Sequence, residues 1–478
     1  MFDRMQTLSQ EALENIHNAS MDILQNTGIC FNSKKAAALF KQNEFKTDGN
    51  LVFFTEEKVR MAVENAPNAF TIRARDPQKT VHVGQDSFIA LPTAGATNVT
   101  TLSGEHRLGT LADFQNCCKL VQTSQQLDMA GYLMVQPNDI PSETAHLDMV
   151  AQYIQMCDKP IFGASNSGEA ASDSIHLAGM AFGGKEDDIK SQPIVAAVVN
   201  AMSPLQFSEE QTDVIMEMAH WRQPLIITTM ILAGSTGPVS LPGLLAQQNA
   251  EILAGVVLAQ LVSSGTPVVY GSTSAPMDMK TTVSAVGAPE TLKIACATTQ
   301  LARYYDLPCR AGGNLTDSHY PDAQALAEGT LLLSTVVRSG VNFIFHSCGQ
   351  LGSYISMSFE KWLIDEEILC NIRQMILPTE ITPETIDVDL IKSVGVGGQY
   401  LTHPKTFTQF KNLSQPISFN RASYEKWCKA GKKPVENVVH EALKARLDSY
   451  QKPQLDQGIE QQINDYVARR KSAESNII

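Results

Sequence analysis

The 478-residue chain is 43% hydrophobic and 18% charged, an ordinary globular composition with no long segment too polar to bury a face. Its formal net charge of -13 argues against nucleic acid or an anionic membrane as a partner, because such surfaces repel it and no basic patch offsets the average. The nine cysteines form no CxxC pair and read as buried free thiols in a reducing compartment.

The N-terminus, MFDRMQTLSQEALENIHNASM, lacks a cationic stretch leading into an apolar run, and no later segment approaches the ~18 uninterrupted apolar residues of a membrane helix. A cytoplasmic protein is expected. Residues 1–85 predict an amphipathic helix over 8–26, a shorter one over 34–42 and a helix over 56–64, followed by short strands near 70–73 and 81–83. Together they read as an N-terminal helical and β cap.

From about residue 125 to 351 one pattern recurs, a short apolar run rich in β-branched residues, then small and polar residues, then a helical stretch, and with an earlier run that can supply an eighth strand it sets a barrel domain over 86–375. The run at 86–98 (DSFIALPTAGATN) is followed by a helix over 110–123 with Thr110 as its N-cap. Seven more runs follow at 127–134 (LDMAGYLM), 160–165 (PIFGAS), 193–201 (PIVAAVVNA), 224–231 (PLIITTMI), 267–272 (PVVYGS), 307–312 (LPCRAG) and 343–348 (FIFHSC). They are spaced by roughly 30 to 40 residues, the length of a βα unit, and are nearly continuous in hydrophobicity, as parallel strands covered on both faces must be. Helices over 244–263 and 289–304 are well signalled between them. An open doubly wound sheet would share the alternation, but there is neither a GxGxxG at a strand-to-helix turn nor a GxxxxGK[ST] loop. The pattern predicts an α/β fold, a (β/α)8 TIM barrel. After Cys370 the chain turns helical and more polar, and residues 376–478 read as a mostly helical extension ending in helices over 435–450 and 455–471. Those segments pack outside the barrel or serve a partner subunit.

In such a barrel the reacting groups come from the C-terminal ends of the strands. The ends offer Asn98, Tyr132, Gln136, Ser165, Asn166, Asn200, Met202, Thr228, Met230, Tyr270, Ser272, Arg310, Asn314, His346, Cys348 and Gln350. A Schiff-base aldolase needs a desolvated lysine there, and the lysine beside a strand, Lys159, sits at a strand's beginning. Glycosidases need two facing carboxylates, and none of these ends carries even one. Metal-dependent hydrolysis needs several converging His and Asp ligands, whereas His346 is the one histidine on a strand. His346, Cys348 and Cys309 could make a thiolate-type zinc site, but without CxxC or HxxxH spacing buried thiols are the preferred reading, and no metal is assigned. Aromatics, methionine and uncharged hydrogen bonders suit a cation that cannot donate hydrogen bonds, such as a quaternary ammonium held by aromatic faces at about 0.5–2 kcal/mol per ring. The candidate aromatics are Tyr132, Tyr270, Tyr320, Tyr354 and Phe359, each of which has a packing role as its alternative.

Four segments in order, LAGSTGPVSLPGLLAQQNAEILAG (232–255), LPCRAGGNLTDSHYPDAQALAEG (307–329), SGVNFIFHSCGQL (339–351) and GVGGQYLTHPKT (395–406), resemble the trimethylamine:corrinoid methyltransferase superfamily. The resemblance extends over nearly the whole chain. It implies a (β/α)8 barrel that demethylates a methylated amine and hands the methyl to Co(I) of a separate corrinoid protein. It also implies that no cobalamin is integral, and no DxHxxG-like cobalamin motif is found. Founding members carry pyrrolysine in the loop that here reads TDSHYPDAQ, at a position corresponding to His319, within one residue. A histidine cannot form the imine adduct that activates a tertiary amine. A quaternary ammonium needs no such activation, because its leaving group is a neutral tertiary amine and catalysis reduces to positioning a methyl in line with cobalt. The chain therefore resembles the non-pyrrolysine branch acting on glycine betaine, proline betaine or carnitine, with glycine betaine the first choice.

A betaine carboxylate needs a donor, and Arg310, His319 and His346 are the candidates. His346 and His319 are assigned catalytic roles, and Tyr132, Tyr270, Arg310, Asn314, Tyr320, Gln350, Tyr354 and Phe359 substrate contacts. Arg310 is equally readable as a structural arginine paired inside the barrel. Expected partners are the cognate corrinoid protein, the small quaternary amine and further copies of the chain in a homo-oligomer. The rival readings are a trimethylamine methyltransferase in which His319 protonates the amine, and a non-catalytic quaternary-amine-binding protein.

Overall fold

A computed structural model describes residues 4–474. Eight short parallel strands form its centre: β1 Ile89–Ala90, β2 Ala130–Gly131, β3 Ile161–Phe162, β4 Val195–Ala201, β5 Leu225–Thr229, β6 Val268–Ser272, β7 Cys309–Gly312 and β8 Phe343–Phe345. Each pairs with its successor from β2 to β8, and β8 pairs back with β1, Phe343 opposite Ile89 and Ile344 opposite Ala90. Between β1 and β2 the Asp128 N–H donates to the Ala90 carbonyl at 2.9 Å, and Ala96 bridges to Val135 just above. The sheet thus curls into an α/β, barrel-like fold.

A long helix follows each strand: α1 Leu111–Thr123, α2 Ala145–Met156, α3 Gly168–Ala181, α4 Glu209–His220, α5 Leu241–Val262, α6 Pro289–Tyr304, α7 Ala323–Ser339 and α8 Phe359–Ile376, with a short helix, Glu186–Ser191, between α3 and β4. Thr110 caps α1 in a capping box with Asp113, which satisfies two orphan N–H groups at once. Among the described residues, the helix α5 alone is long and apolar enough to cross a membrane, but 89% of its apolar window is buried among the surrounding helices and strands. A helix apolar all round is what a core position requires.

The barrel's inside is filled by side chains of alternating parity: Ile89, Met129, Phe162, Ala196, Ile226, Val269, Phe343 and Phe345 form one apolar cluster, separate from the larger core under the helices. An antiparallel hairpin of Ala69–Ile72 and Val81–Gly84 adds Phe70, Ile72, Val81 and Val83 to that cluster. It plugs the end where the strands begin, so the strands open only at their C-terminal ends. At Gly131 in β2 a Cβ would stand 2.0 Å from the Phe162 carbonyl oxygen, so the close approach of β2 to β3 requires glycine.

The N-terminal segment contains helices Gln10–Asp22, Lys34–Gln42 and Glu56–Asn65. The first is shorter than the pattern suggested, because a π turn, Ile23–Thr27, ends it at Gly28, whose φ is +77°. A small sheet joins Ile29–Phe31 to Gln206–Phe207 of the loop after β4, around the rings of Phe31, Phe40, Phe54 and Phe207. Beyond α8, helices α9 Val435–Asp448 and α10 Gln457–Glu474 lie against the barrel: Arg446 pairs with Glu366 of α8, and Arg470 with Asp173 of α3. Between them and α8, the short helices from Pro383 to Lys429 bury no residue, and Leu401, Phe407 and Leu413 are 82%, 78% and 70% exposed.

Candidate active site

Above the apolar filling, at the strands' C-terminal ends, lies a cavity of about 280 Å³, near the lower end of the ~300–1,000 Å³ typical of small-molecule sites. Strand parity and loop geometry decide what reaches it. Phe162, Val198, Asn200, Arg310 and Phe345 enter from β3, β4, β7 and β8, and Tyr132, Leu133, Ser165, Met230, Thr273, His346 and Tyr354 from the turns that follow the strands. Gly271 of β6 leaves room beside them, since a Cβ there would stand 3.3 Å from the Arg310 Cβ.

Arg310 is 3% exposed. Its Nη1 donates to the Ser272 carbonyl at 2.9 Å, and its guanidinium carbon lies 4.6 Å from the centre of the Phe345 ring. Its Nε is buried without a partner, and among the described residues no carboxylate lines the cavity. Burial pushes its pKa down to about 10, so the group remains charged at neutral pH. A buried cation with an idle donor and no anion is costly unless a ligand completes it.

Phe345 and His346 are consecutive yet face the same cavity, which an extended strand does not allow. His346 achieves this with a φ of +54°, and Leu133 (+62°), Ser353 (+50°) and Tyr354 (+81°) share the left-handed region. Three of these, Leu133, His346 and Tyr354, line the cavity, and non-glycine residues held in that conformation cluster where the surroundings keep strain at a functional site. The His346 Nδ1 lies 3.1 Å from the Gln350 Oε1 and 3.3 Å from the Ala94 amide nitrogen. Burial, then the charge of Arg310, pushes its pKa down to about 3, so the imidazole is neutral across the physiological range.

The aromatic wall comprises Tyr132, Phe162, Phe345 and Tyr354. Phe162 meets Phe345 edge-on at 5.1 Å and 77°, and His346 meets Tyr354 at 5.1 Å and 64°. Burial raises both tyrosine hydroxyls, Tyr354 to about 12, so both are neutral phenols. The cavity offers one fixed positive charge, aromatic faces and uncharged hydrogen bonders, and among the described residues neither a carboxyl group nor a protonated imidazole lines it at pH 7.

Of the residues singled out in the sequence, Tyr132, Arg310, His346 and Tyr354 converge here, with Ser165, Asn200 and Met230 from the wider set of strand ends. Others lie elsewhere. Tyr270 is corrected: with Val269 facing inward, its neighbour must face the helices, where its hydroxyl donates to the Asn249 Oδ1 at 2.9 Å and its ring stacks on Tyr305. Asn314 is buried beneath the mouth, its carbonyl accepting from the Lys361 Nζ at 3.2 Å. Tyr320 donates to the Leu102 carbonyl, and Phe359 opens α8 against the outer core. His319 is exposed, its ring against Gly352. Gln350 is wholly buried behind His346. The zinc option is not assembled either, because the Cys309 thiol faces Thr299 on α6 and the Cys348 thiol lies in the outer core.

Leu133, Phe162, Thr273 and Phe345 had not been singled out. Parity would have found Phe345: once Arg310 is set inward on β7, its partner Phe343 and hence Phe345 must point inward on β8. Leu133 and Thr273 sit in turns that carry no such signal.

The chain matches the family model described as trimethylamine methyltransferase (MTTB) over residues 1–475. It is 36% identical over 464 residues to the glycine betaine methyltransferase of Desulfitobacterium hafniense (strain Y51), covering 97% of this chain and 96% of that one. It is 32% identical over 425 residues to the proline betaine:corrinoid methyltransferase of Eubacterium limosum, 87% of each chain. It is 29% identical over 470 residues to the trimethylamine methyltransferase MttB of Methanosarcina thermophila, 94% of each chain. Among solved structures, the Methanosarcina barkeri monomethylamine methyltransferase (MtmB) superposes with a TM-score of 0.56 at 12% identity, covering 95% of this chain and 90% of that one.

Proposed function

The chain belongs to the trimethylamine methyltransferase family, and on that premise we propose that it demethylates a quaternary amine bearing a carboxylate, glycine betaine first. The methyl passes to the Co(I) of a corrinoid held by a partner protein, and dimethylglycine is released. The observation that carries this reading is Arg310, a buried guanidinium in the cavity with no anion beside it. A carboxylate supplies the missing charge, and the planar guanidinium suits it in a charge-assisted contact. The trimethylammonium end then meets Tyr132, Phe162 and Tyr354. Proline betaine and carnitine present the same two ends.

A substrate that is only a cation fits less well, because it would enter a positive cavity with no carboxylate to receive it. That weighs against trimethylamine in its protonated, cationic form, and its neutral form would require a proton donor, whereas His319 lies outside the cavity. Because the leaving amine is neutral, neither a Lewis acid nor a general acid is called for, and the residues' task is to hold one methyl toward the open mouth. The purified chain, mixed with free cob(I)alamin, should form methylcobalamin from glycine betaine in the presence of strong chelators. Greater turnover of trimethylamine would overturn the substrate; activity lost to chelators and restored by zinc alone would overturn the metal-free route. Binding without any methylcobalamin would point to the non-catalytic alternative.

On the same reading residues 1–85 brace and plug the barrel, 86–375 carry the site and 376–478 form the extension, in a cytoplasmic enzyme whose corrinoid partner docks at the strands' open ends. We place self-association on the exposed apolar arm between α8 and α9. Sedimentation of the full chain should therefore give a species larger than a monomer, and Leu401→Lys with Phe407→Lys should shift it toward the monomer; a wild-type monomer would contradict this placement.

A further inference from the structure

A neutral imidazole has one N–H and one lone pair, so whatever fixes Nδ1 decides what Nε2 presents to the cavity. Two groups contend for the Nδ1 of His346: the Gln350 Oε1 at 3.1 Å, which calls for a proton there, and the Ala94 N–H at 3.3 Å, which calls for a lone pair. The orientation of the Gln350 amide is determined by its other partners. Its Nε2 donates to the Ser356 carbonyl at 3.1 Å, and its Oε1 accepts from the Thr93 hydroxyl at 2.6 Å. Turning the amide over would set two carbonyl oxygens against each other, so the oxygen faces the histidine. A lone pair on Nδ1 would then oppose that oxygen at 3.1 Å, whereas a proton converts the contact into a hydrogen bond. The Ala94 amide has another outlet, since Ala94 lines the cavity and is only half-buried.

We infer that Gln350 is a positioning residue: held by Thr93 and Ser356, it fixes His346 as the Nδ1–H tautomer, so that Nε2 meets the substrate as a lone-pair acceptor. The inference rests on the betaine reading for what Nε2 touches. It reverses the donor role expected of His346 from the sequence and leaves the carboxylate to Arg310. The His346 Nε2 has no hydrogen-bond partner among the described residues, and its ring lines the cavity. The titratable groups around it are Arg310 on β7, Tyr132 after β2 and Tyr354 in the loop after β8, with no carboxylate on the wall. The N-methyl groups of a quaternary ammonium carry the positive charge on their hydrogens, which are matched by a lone pair and by aromatic faces. An imidazolium at the same place would repel them.

The test uses the full-length chain labelled with ¹⁵N-histidine, with the His346 signals identified by their loss in His346→Gln. The expected spectrum has a protonated, pyrrole-type Nδ1 and a pyridine-type Nε2, unchanged from pH 5.5 to 8.5. A protonated Nε2 would overturn the inference, and since this spectrum is taken without substrate it is independent of whether glycine betaine is the substrate. Gln350→Glu keeps an acceptor on Nδ1 but supplies a negative charge that favours the imidazolium. Its KM for glycine betaine should rise about tenfold as pH falls from 8 to 6 with kcat little changed, while the wild-type KM stays flat. Gln350→Met removes the acceptor, so the Ala94 N–H captures Nδ1 and the proton moves to Nε2, with a raised KM at every pH. If Gln350→Met left both spectrum and KM unchanged, Gln350 would have no positioning role.

Discussion

Replacing Arg310 by Met should lower kcat/KM for glycine betaine by about 3 kcal/mol, roughly 150-fold, because a carboxylate would enter a desolvated cavity with no charge to receive it. The variant should still fold, since the guanidinium makes one protein hydrogen bond and no ion pair, and the methionine stem can occupy the space over Phe345. Arg310→Lys should recover only part of the loss, as a point charge on a flexible stem replaces a planar fork. Turnover of a quaternary amine without a carboxylate, if measurable, should hold steady or improve, because a positive charge has been removed from its path. Steady-state kinetics with both substrates check this, and an Arg310→Met enzyme with unchanged kcat/KM for glycine betaine would remove Arg310 from the site.

The second large effect concerns what holds the mouth in shape. Lys361 and Asp365 on α8 are both wholly buried and 2.7 Å apart. Lys361 also donates to the carbonyl of Asn314 beyond β7, and Asp365 accepts from the Gly349 N–H beyond β8 at 2.8 Å. One ion pair thus pins the two loops on either side of Arg310 and His346. Lys361→Met should destabilise the fold by about 3–5 kcal/mol, the usual cost of leaving one buried charge unpaired. Burial already raises the Asp365 carboxyl to about 6 even with Lys361 beside it, and losing the lysine raises it further. A folded-state pKa above the unfolded value means that the folded state binds the extra proton, so stability falls as pH rises through that window. The destabilisation should accordingly be smaller near pH 5 than at pH 8, and Lys361→Met combined with Asp365→Leu should recover most of it. Chemical unfolding at the two pH values checks both statements.

Each of the eight strands lies within the run that predicted it, because a strand covered on both faces must be continuously apolar and such runs are visible. The strands are shorter than the runs: only Ala130–Gly131 of residues 127–134 is regular, since the rest turns into the loops that build the cavity. Arg310 and His346 were legible as polar groups at strand ends. Tyr270 misled because its run is apolar on both faces and carries no alternation from which to read parity; Val269 inside and Tyr270 outside look the same in sequence. The convergence of Leu133 and Tyr354 depends on left-handed backbone at non-glycine residues, which local propensity does not signal. Gln350 was seen but set one layer too far forward, and only the Thr93 and Ser356 contacts reveal that it acts through His346. His319, singled out by the resemblance, is exposed and lies against Gly352 rather than on the cavity wall.

On the proposed function, this cavity selects a carboxylate together with a quaternary ammonium. The most direct measurement is calorimetric titration of the full-length protein with glycine betaine and with choline, which share the trimethylammonium group and differ in the carboxylate. Glycine betaine should bind at least about fiftyfold more tightly, the effect of a charge-assisted contact worth roughly 2–3 kcal/mol, and that preference should vanish in Arg310→Met. Equal affinity of the wild-type protein for the two ligands would contradict the account.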